Sequence, residues 1–172
     1  LHGTWINSID FNPQNPSVMA TSSTDRTACL WDLRSMGTTK PKTLRTVNHD
    51  RPVHSAYFSP SGLSLATTSL DNYVGILSGA NYEDSSMIYH DNSTNLWISS
   101  FRGVWGWDDS YIFVGNQSKR IDVISPKLKR TVKELHSPLM KSVPCRIHCH
   151  PLSVGMLAVS TAGGEVYVWT SK

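Results

Sequence analysis

The stretch INSIDFNPQNPSVMATSSTDRTACLWD, residues 6–32, decides how the rest of the chain is read. It runs as an alternating apolar segment, a turn, a second apolar segment ending in small residues, a polar turn, and a third apolar segment closed by Trp31 and Asp32. Alternation with a period of two places side chains on opposite faces of an extended chain, so each apolar segment reads as a strand.

The same layout returns at residues 53–79, 101–125 and 145–169, and anchoring on Pro13, Pro60, Asp108 and Pro151 gives steps of 47, 48 and 43 residues. A histidine precedes each unit at His2, His49, His90 and His136. Short segments such as KTLRTV (42–47) and RTVKEL (130–135) supply a fourth strand before the next histidine. No long run repeats at 3.6-residue spacing, so the expected fold class is all-β.

Composition narrows the function classes. At 172 residues and 39% hydrophobic content the chain can bury one core. No apolar run approaches the ~18 residues of a spanning helix, and LHGTWINSID lacks the basic-then-apolar order of a signal peptide. No membrane partner is expected. Three cysteines, Cys29, Cys145 and Cys149, sit within alternating stretches, which favours a reducing compartment over a disulfide framework. Acceptor patterns for glycosylation at Asn92 and Asn116 are short enough to arise by chance. A net charge of +3 permits a nucleic-acid partner without demanding one.

Four strands per repeat, opened by His and closed by Trp-Asp, resemble a blade of the WD-repeat β-propeller. The first unit carries His2, Asp25, Trp31 and Asp32 in the places that resemblance requires; the second keeps His49 and Asp71 but has Leu77 for the Trp, and the fourth recovers Trp169. The resemblance implies that the Asp sits in the turn between the second and third strands, accepting from turn backbone and from the His, which bonds onward to a strand hydroxyl. His2, Asp25, Trp31, His49 and Asp71 are thereby expected to hold blades together. It also implies a single partial propeller over 1–172, with blades at 1–48, 49–89, 90–135 and 136–172. These are expected to be the C-terminal blades of a ring of about seven.

MATSSTDRTACLWDLR (19–34) resembles the box by which many WD-repeat proteins dock on the triple-propeller adaptor of cullin-4 ubiquitin ligases, and its Trp-Asp-x-Arg ending implicates Asp32 and Arg34. An Arg offers a flat fork of donors suited to a desolvated contact. The alternative, an ordinary repeat ending, stays open.

YHDNSTNLWISSFRGVW (89–105) sets His90, Thr94, Trp97, Phe101 and Trp105 at steps of 4, 3, 4 and 4. This closely resembles a segment of the WD repeat-containing protein 76 family, chromatin-associated propellers related to the small subunit of the UV-damaged-DNA-binding complex. The resemblance implies a DNA-facing surface bearing His90, Thr94, Asn95, Trp97 and Arg102, with Lys119 and Arg120 on a neighbouring loop. Arg and Lys neutralise phosphates, and an aromatic or amide can meet an unstacked base. Phe101 and Trp105 read as core, and Trp97 reads either way. NSTNL (92–96) lacks the aromatic-amide-histidine wedge of the damage-binding relative, so lesion extrusion is not implied.

Enzyme chemistry finds no footing: there is no nucleophile elbow, phosphate loop or dinucleotide fingerprint. Cys145, His148, Cys149 and His150 have metal-ligand chemistry, but on a strand the cysteines and histidines point to opposite faces, so no metal, cofactor or small-molecule substrate is expected. The expected function is therefore non-enzymatic and nuclear: binding of double-stranded DNA or chromatin in the damage response, with one face docking on the cullin-4 adaptor as a substrate receptor. The alternative is a general scaffold for peptides or histone tails.

Overall fold

The computed structural model describes residues 2–37, 41–93 and 100–170. These form fifteen strands in four antiparallel sheets, with no α-helix among the described residues. The first sheet holds β1 (Ile6–Phe11), β2 (Val18–Ser23), β3 (Thr27–Asp32) and β4 (Thr43–Asn48). The second holds β5 (Val53–Phe58), β6 (Leu65–Ser69), β7 (Tyr73–Ser78) and β8 (Asp84–Tyr89). The third holds β9 (Val104–Trp105), β10 (Ile112–Gly115), β11 (Ile121–Ser125) and β12 (Arg130–Leu135); the fourth holds β13 (Pro144–Cys149), β14 (Leu157–Thr161) and β15 (Val166–Trp169).

Within each sheet consecutive strands pair as neighbours, the up-and-down order of a propeller blade. The sheets stack in chain order. Ala20, Leu30, Val53, Ala56 and Leu65 form one core between the first and second, and Ala66, Val74, Phe101, Ile112 and Ile124 form another between the second and third. Phe113, Ile121, Leu157 and Val159 fill the space before the fourth. Phe101 and Trp105 are buried, and the Trp105 indole donates to Tyr57 O (2.8 Å), locking β9 onto β5.

Two rims result. On one, the turns β2–β3, β6–β7, β10–β11 and β14–β15 meet the connections that lead into the next inner strand. There His49 N donates to Arg26 O (2.9 Å), His90 N to Asn72 O (3.0 Å) and Ala162 N to Val143 O (2.9 Å). Arg26, Asn72, Lys119 and Gly164 occupy the same place in these four turns, all with positive φ, and three of them are not glycine. On the opposite rim, hairpins of successive sheets are laced together. Asn12 donates to Gly62 O (2.8 Å), Ser59 donates to Asp109 (3.0 Å), and Trp107 Nε1 donates to His150 O (2.7 Å).

Inner strands β1, β5 and β13 each carry a register irregularity at the same position, occupied by Asn7, His54 and Cys145. A bulge of this kind re-aims the extra side chain away from its ladder face. Asn7 uses the freedom to donate to Val53 O (2.8 Å) of the next sheet.

Candidate nucleic-acid interface

In the first sheet, His2 Nδ1 donates to Asp25 Oδ2 (2.9 Å), and its Nε2 lies 2.7 Å from Thr21 Oγ1, which also accepts from Trp31 Nε1 (2.8 Å). Burial pushes the Asp25 carboxyl up. Hydrogen bonds from Thr27, His2 and the Gly3 backbone outweigh that effect and hold it at about 2. The second sheet repeats the pattern: His49 Nδ1 donates to Asp71 (2.8 Å) and Nε2 lies 2.9 Å from Thr67 Oγ1. Here Gly75 stands beside the network, where a Cβ would come within 2.5 Å of Thr67 Oγ1 and 3.2 Å of His49 Nε2. Only a residue without a side chain leaves room.

The third sheet departs from this plan, and the departure corrects one expectation. His90 is not on a DNA-facing surface: it is 3% exposed, Nδ1 donates to Asn92 Oδ1 (2.7 Å), and Nε2 lies 2.9 Å from Asp122 Oδ2. Val114 takes the place that Thr21 and Thr67 hold in the first two sheets and has no hydroxyl, so Nε2 faces the Asp122 carboxylate of β11 instead. Asn116 Nδ2 donates to the other Asp122 oxygen (3.0 Å). Asn92 and Asn116, the two glycosylation-pattern asparagines, are both buried in this arrangement.

Moving the carboxylate into the strand changes the turn. Asp25 precedes Arg26 and Asp71 precedes Asn72, but Ser118 precedes Lys119 in the third turn, which therefore presents cations without an acid at that position. Lys119 is exposed. Arg120 is exposed too, and its guanidinium bonds Glu134 on the outer strand β12, which draws it sideways from the turn tip. Arg102 is half-buried where the chain enters β9, with Nη1 3.4 Å from the Tyr57 hydroxyl. Thr94, Asn95 and Trp97 lie outside the described residues.

Sequence reading missed two groups on this rim. Arg146 is exposed on β13, and its Nη1 donates to Ser100 O (3.1 Å) and Cys145 O (2.7 Å). His54 is half-buried at the β5 bulge. Neither carries a local motif, and His54 sits at its strand's bulge whereas Arg146 follows the bulge of its own, so no matched repeat position signals the pair. Arg102, Lys119, Lys141 and Arg146 give this rim four cations over the third and fourth sheets, with the imidazole of His54 at their edge.

The far rim carries the other candidate. Beyond β3 a short 3-10 turn at Leu33–Ser35 is capped by Asp32, whose carboxylate accepts from Arg34 N (3.0 Å), Nε (2.9 Å) and Nη2 (2.8 Å). The side chain of Arg34 remains 77% exposed. Hydrogen bonding to Arg34 lowers the Asp32 pKa, and the same bonds raise that of Arg34. Beside them Asn15, Val18, Leu44 and Tyr82 line an open groove of about 360 Å³.

Among the described residues no group of three or more His, Cys, Asp or Glu is placed to hold a metal. All three cysteines are free; burial pushes the Cys149 thiol up to about 11, where it is a poor nucleophile at neutral pH. No helix of the described residues is long and apolar enough to cross a membrane.

The pattern described as "WD domain, G-beta repeat" matches residues 1–32 and 41–76. The match covers β1–β3 and runs from β4 into β7. Similarity to curated proteins runs over essentially the whole chain. DNA damage-binding protein 2 of Gallus gallus is 24% identical across 100% of the chain and 36% of its own length. Protein DAMAGED DNA-BINDING 2 of Arabidopsis thaliana is 29% identical across 97% of the chain and 32% of its own length. DNA damage-binding protein CMR1 of Phaeosphaeria nodorum is 27% identical across 95% of the chain and 35% of its own length. The chain thus spans about a third of the length of these relatives. Its four sheets stack as propeller blades do, two stretches of it match the WD-repeat pattern, and it is similar to proteins named for binding damaged DNA.

Proposed function

We propose that the chain is the DNA-facing part of a nuclear, non-enzymatic propeller that binds double-stranded DNA or chromatin in the damage response. The observation that carries this reading is the exposed cation at the tip of the third turn, Lys119, with Arg102 at the entrance to β9, on a rim three of whose acids, Asp25, Asp71 and Asp122, lie against histidines. The names borne by the relatives agree with it. Thr94, Asn95 and Trp97, implicated by the family resemblance, are proposed as further DNA contacts. Their spacing to Phe101 and Trp105 favours the protein 76 branch among such relatives. On the opposite rim Arg34, held in a fork by Asp32, is the proposed contact with the cullin-4 adaptor, which would make the protein a substrate receptor.

Phosphate neutralisation predicts the test. Duplex binding by the full-length protein is expected to weaken steeply with salt, and the double variant R102Q/K119Q to lower the log–log slope by about 2. A wild-type protein without salt-dependent duplex binding, whose same rim captures histone-tail peptides, would replace this reading with the scaffold.

A further inference from the structure

On the cationic rim, three donor-bearing side chains from successive inner strands converge with no acid among them. His54 stands at the β5 bulge, in the position where Asn7 of β1 spends its side chain on the backbone of the next sheet. His54 makes no such bond: its Nε2 is buried without a hydrogen-bond partner among the described residues. Arg102 Nε is in the same condition. Arg146 follows the corresponding bulge in β13, and the two carbonyls it meets, Ser100 O and Cys145 O, are both reached through Nη1, which leaves Nε and Nη2 for another ligand.

A buried polar atom without a partner is rare because it carries its full desolvation cost, and here Arg102 Nε and His54 Nε2 are two such atoms beside the open donors of Arg146, which points to a ligand that engages them. The electrostatics agree. Burial, then the charges of Arg102 and Arg146, hold the His54 imidazole below its usual pKa, and the charges acting on it are both positive.

We propose that His54, Arg102 and Arg146 form one phosphate-binding subsite, which seats a backbone phosphate of nucleic acid at the rim end of the inner strands. The subsite rests on the DNA reading above and deepens it by adding two residues, His54 and Arg146, that anchor a phosphate away from the turn tip. A phosphodiester fits better than a peptide carboxylate. Its non-bridging oxygens diverge enough to reach donors on different strands, whereas a carboxylate is satisfied by one guanidinium fork. The next charge of a polyanion then falls to Lys119 on the adjoining turn.

The experiment measures fluorescence-anisotropy binding of a 30-base-pair duplex by the full-length protein across a salt series. R146Q is the main variant because Arg146 is exposed, and thermal melting verifies that it folds. The slope is expected to fall by about 1 in R146Q, to be kept in R146K, and to be unchanged in R130Q, which removes an exposed charge from outer strand β12. H54Q is expected to weaken binding by about 2- to 10-fold at each salt concentration. Equal slopes for wild type and R146Q would overturn the subsite while the salt dependence of the wild type preserves the DNA reading. Absence of duplex binding in the wild type would overturn both.

Discussion

The first and third sheets solve one problem with different chemistry. Both must tie the connection entering a blade to the turn between its second and third strands. In the first sheet a turn carboxylate, Asp25, and a strand hydroxyl, Thr21, divide the two nitrogens of His2, and Trp31 closes the set through the same hydroxyl. In the third, Val114 and Ile124 replace the hydroxyl and the indole, and the carboxylate comes from inside the strand as Asp122. The architecture survives with different neighbours around the ring: Asn92 holds Nδ1 of His90, and Nε2 lies 2.9 Å from the Asp122 carboxylate. The surface does not survive unchanged. The first turn shows Arg26 to solvent beside Asp25, whereas the third shows Lys119 with no acid before it, so the structural substitution also alters the charge of the turn.

The largest effect is expected where the first sheet has something the third lacks. Trp31→Ala removes a buried indole and its bond to Thr21, and should cost about 3 to 5 kcal/mol in denaturant unfolding of the full-length protein. A loss under about 1 kcal/mol would mean that the first sheet, like the third, stands without its tryptophan.

The carboxylates sharpen the contrast. Asp122→Ala strands a buried imidazole and the Asn116 amide together, and should cost about 3 kcal/mol. Asp25→Ala removes a partly exposed turn carboxylate, whose place beside the equally buried His2 water can enter, and should cost about 1 to 2 kcal/mol. The reverse order would show that the turn, not the strand, is the stronger anchor. Acid adds a second measurement. Because the folded Asp25 pKa lies at about 2, below its ordinary 3.8, its contribution is complete above that ordinary value and is lost as pH falls from 3.8 toward 2. Asp25→Asn should flatten the unfolding free energy against pH in this window, and an unaltered acid limb would break the assignment.

The smallest stability effect belongs to Arg34→Glu. An exposed ion pair contributes little, so the denaturant midpoint should stay where it is in the wild type. Retention of the cullin-4 adaptor in pulldown should nevertheless be lost, because charge reversal places an acid at the contact. Undiminished retention would return residues 32–35 to an ordinary repeat ending.

The sequence by itself determined the all-β class, the four repeated units, the His2–Asp25 and His49–Asp71 pairs and the buried Phe101 and Trp105. All of these follow from periodicity or from partners at a fixed spacing within one blade. It misplaced His90, because the spacing that suggested a surface motif also placed that ring in its blade. Whether it faced solvent depended on Asp122, which no local pattern linked to it. Arg146 and His54 were invisible for a related reason: they lie 92 residues apart in the chain, and only the stacking of β5, β9 and β13 brings their donors to one end of the inner strands. Local chemistry is written in the repeat, whereas convergence between blades exists only once the sheets have packed.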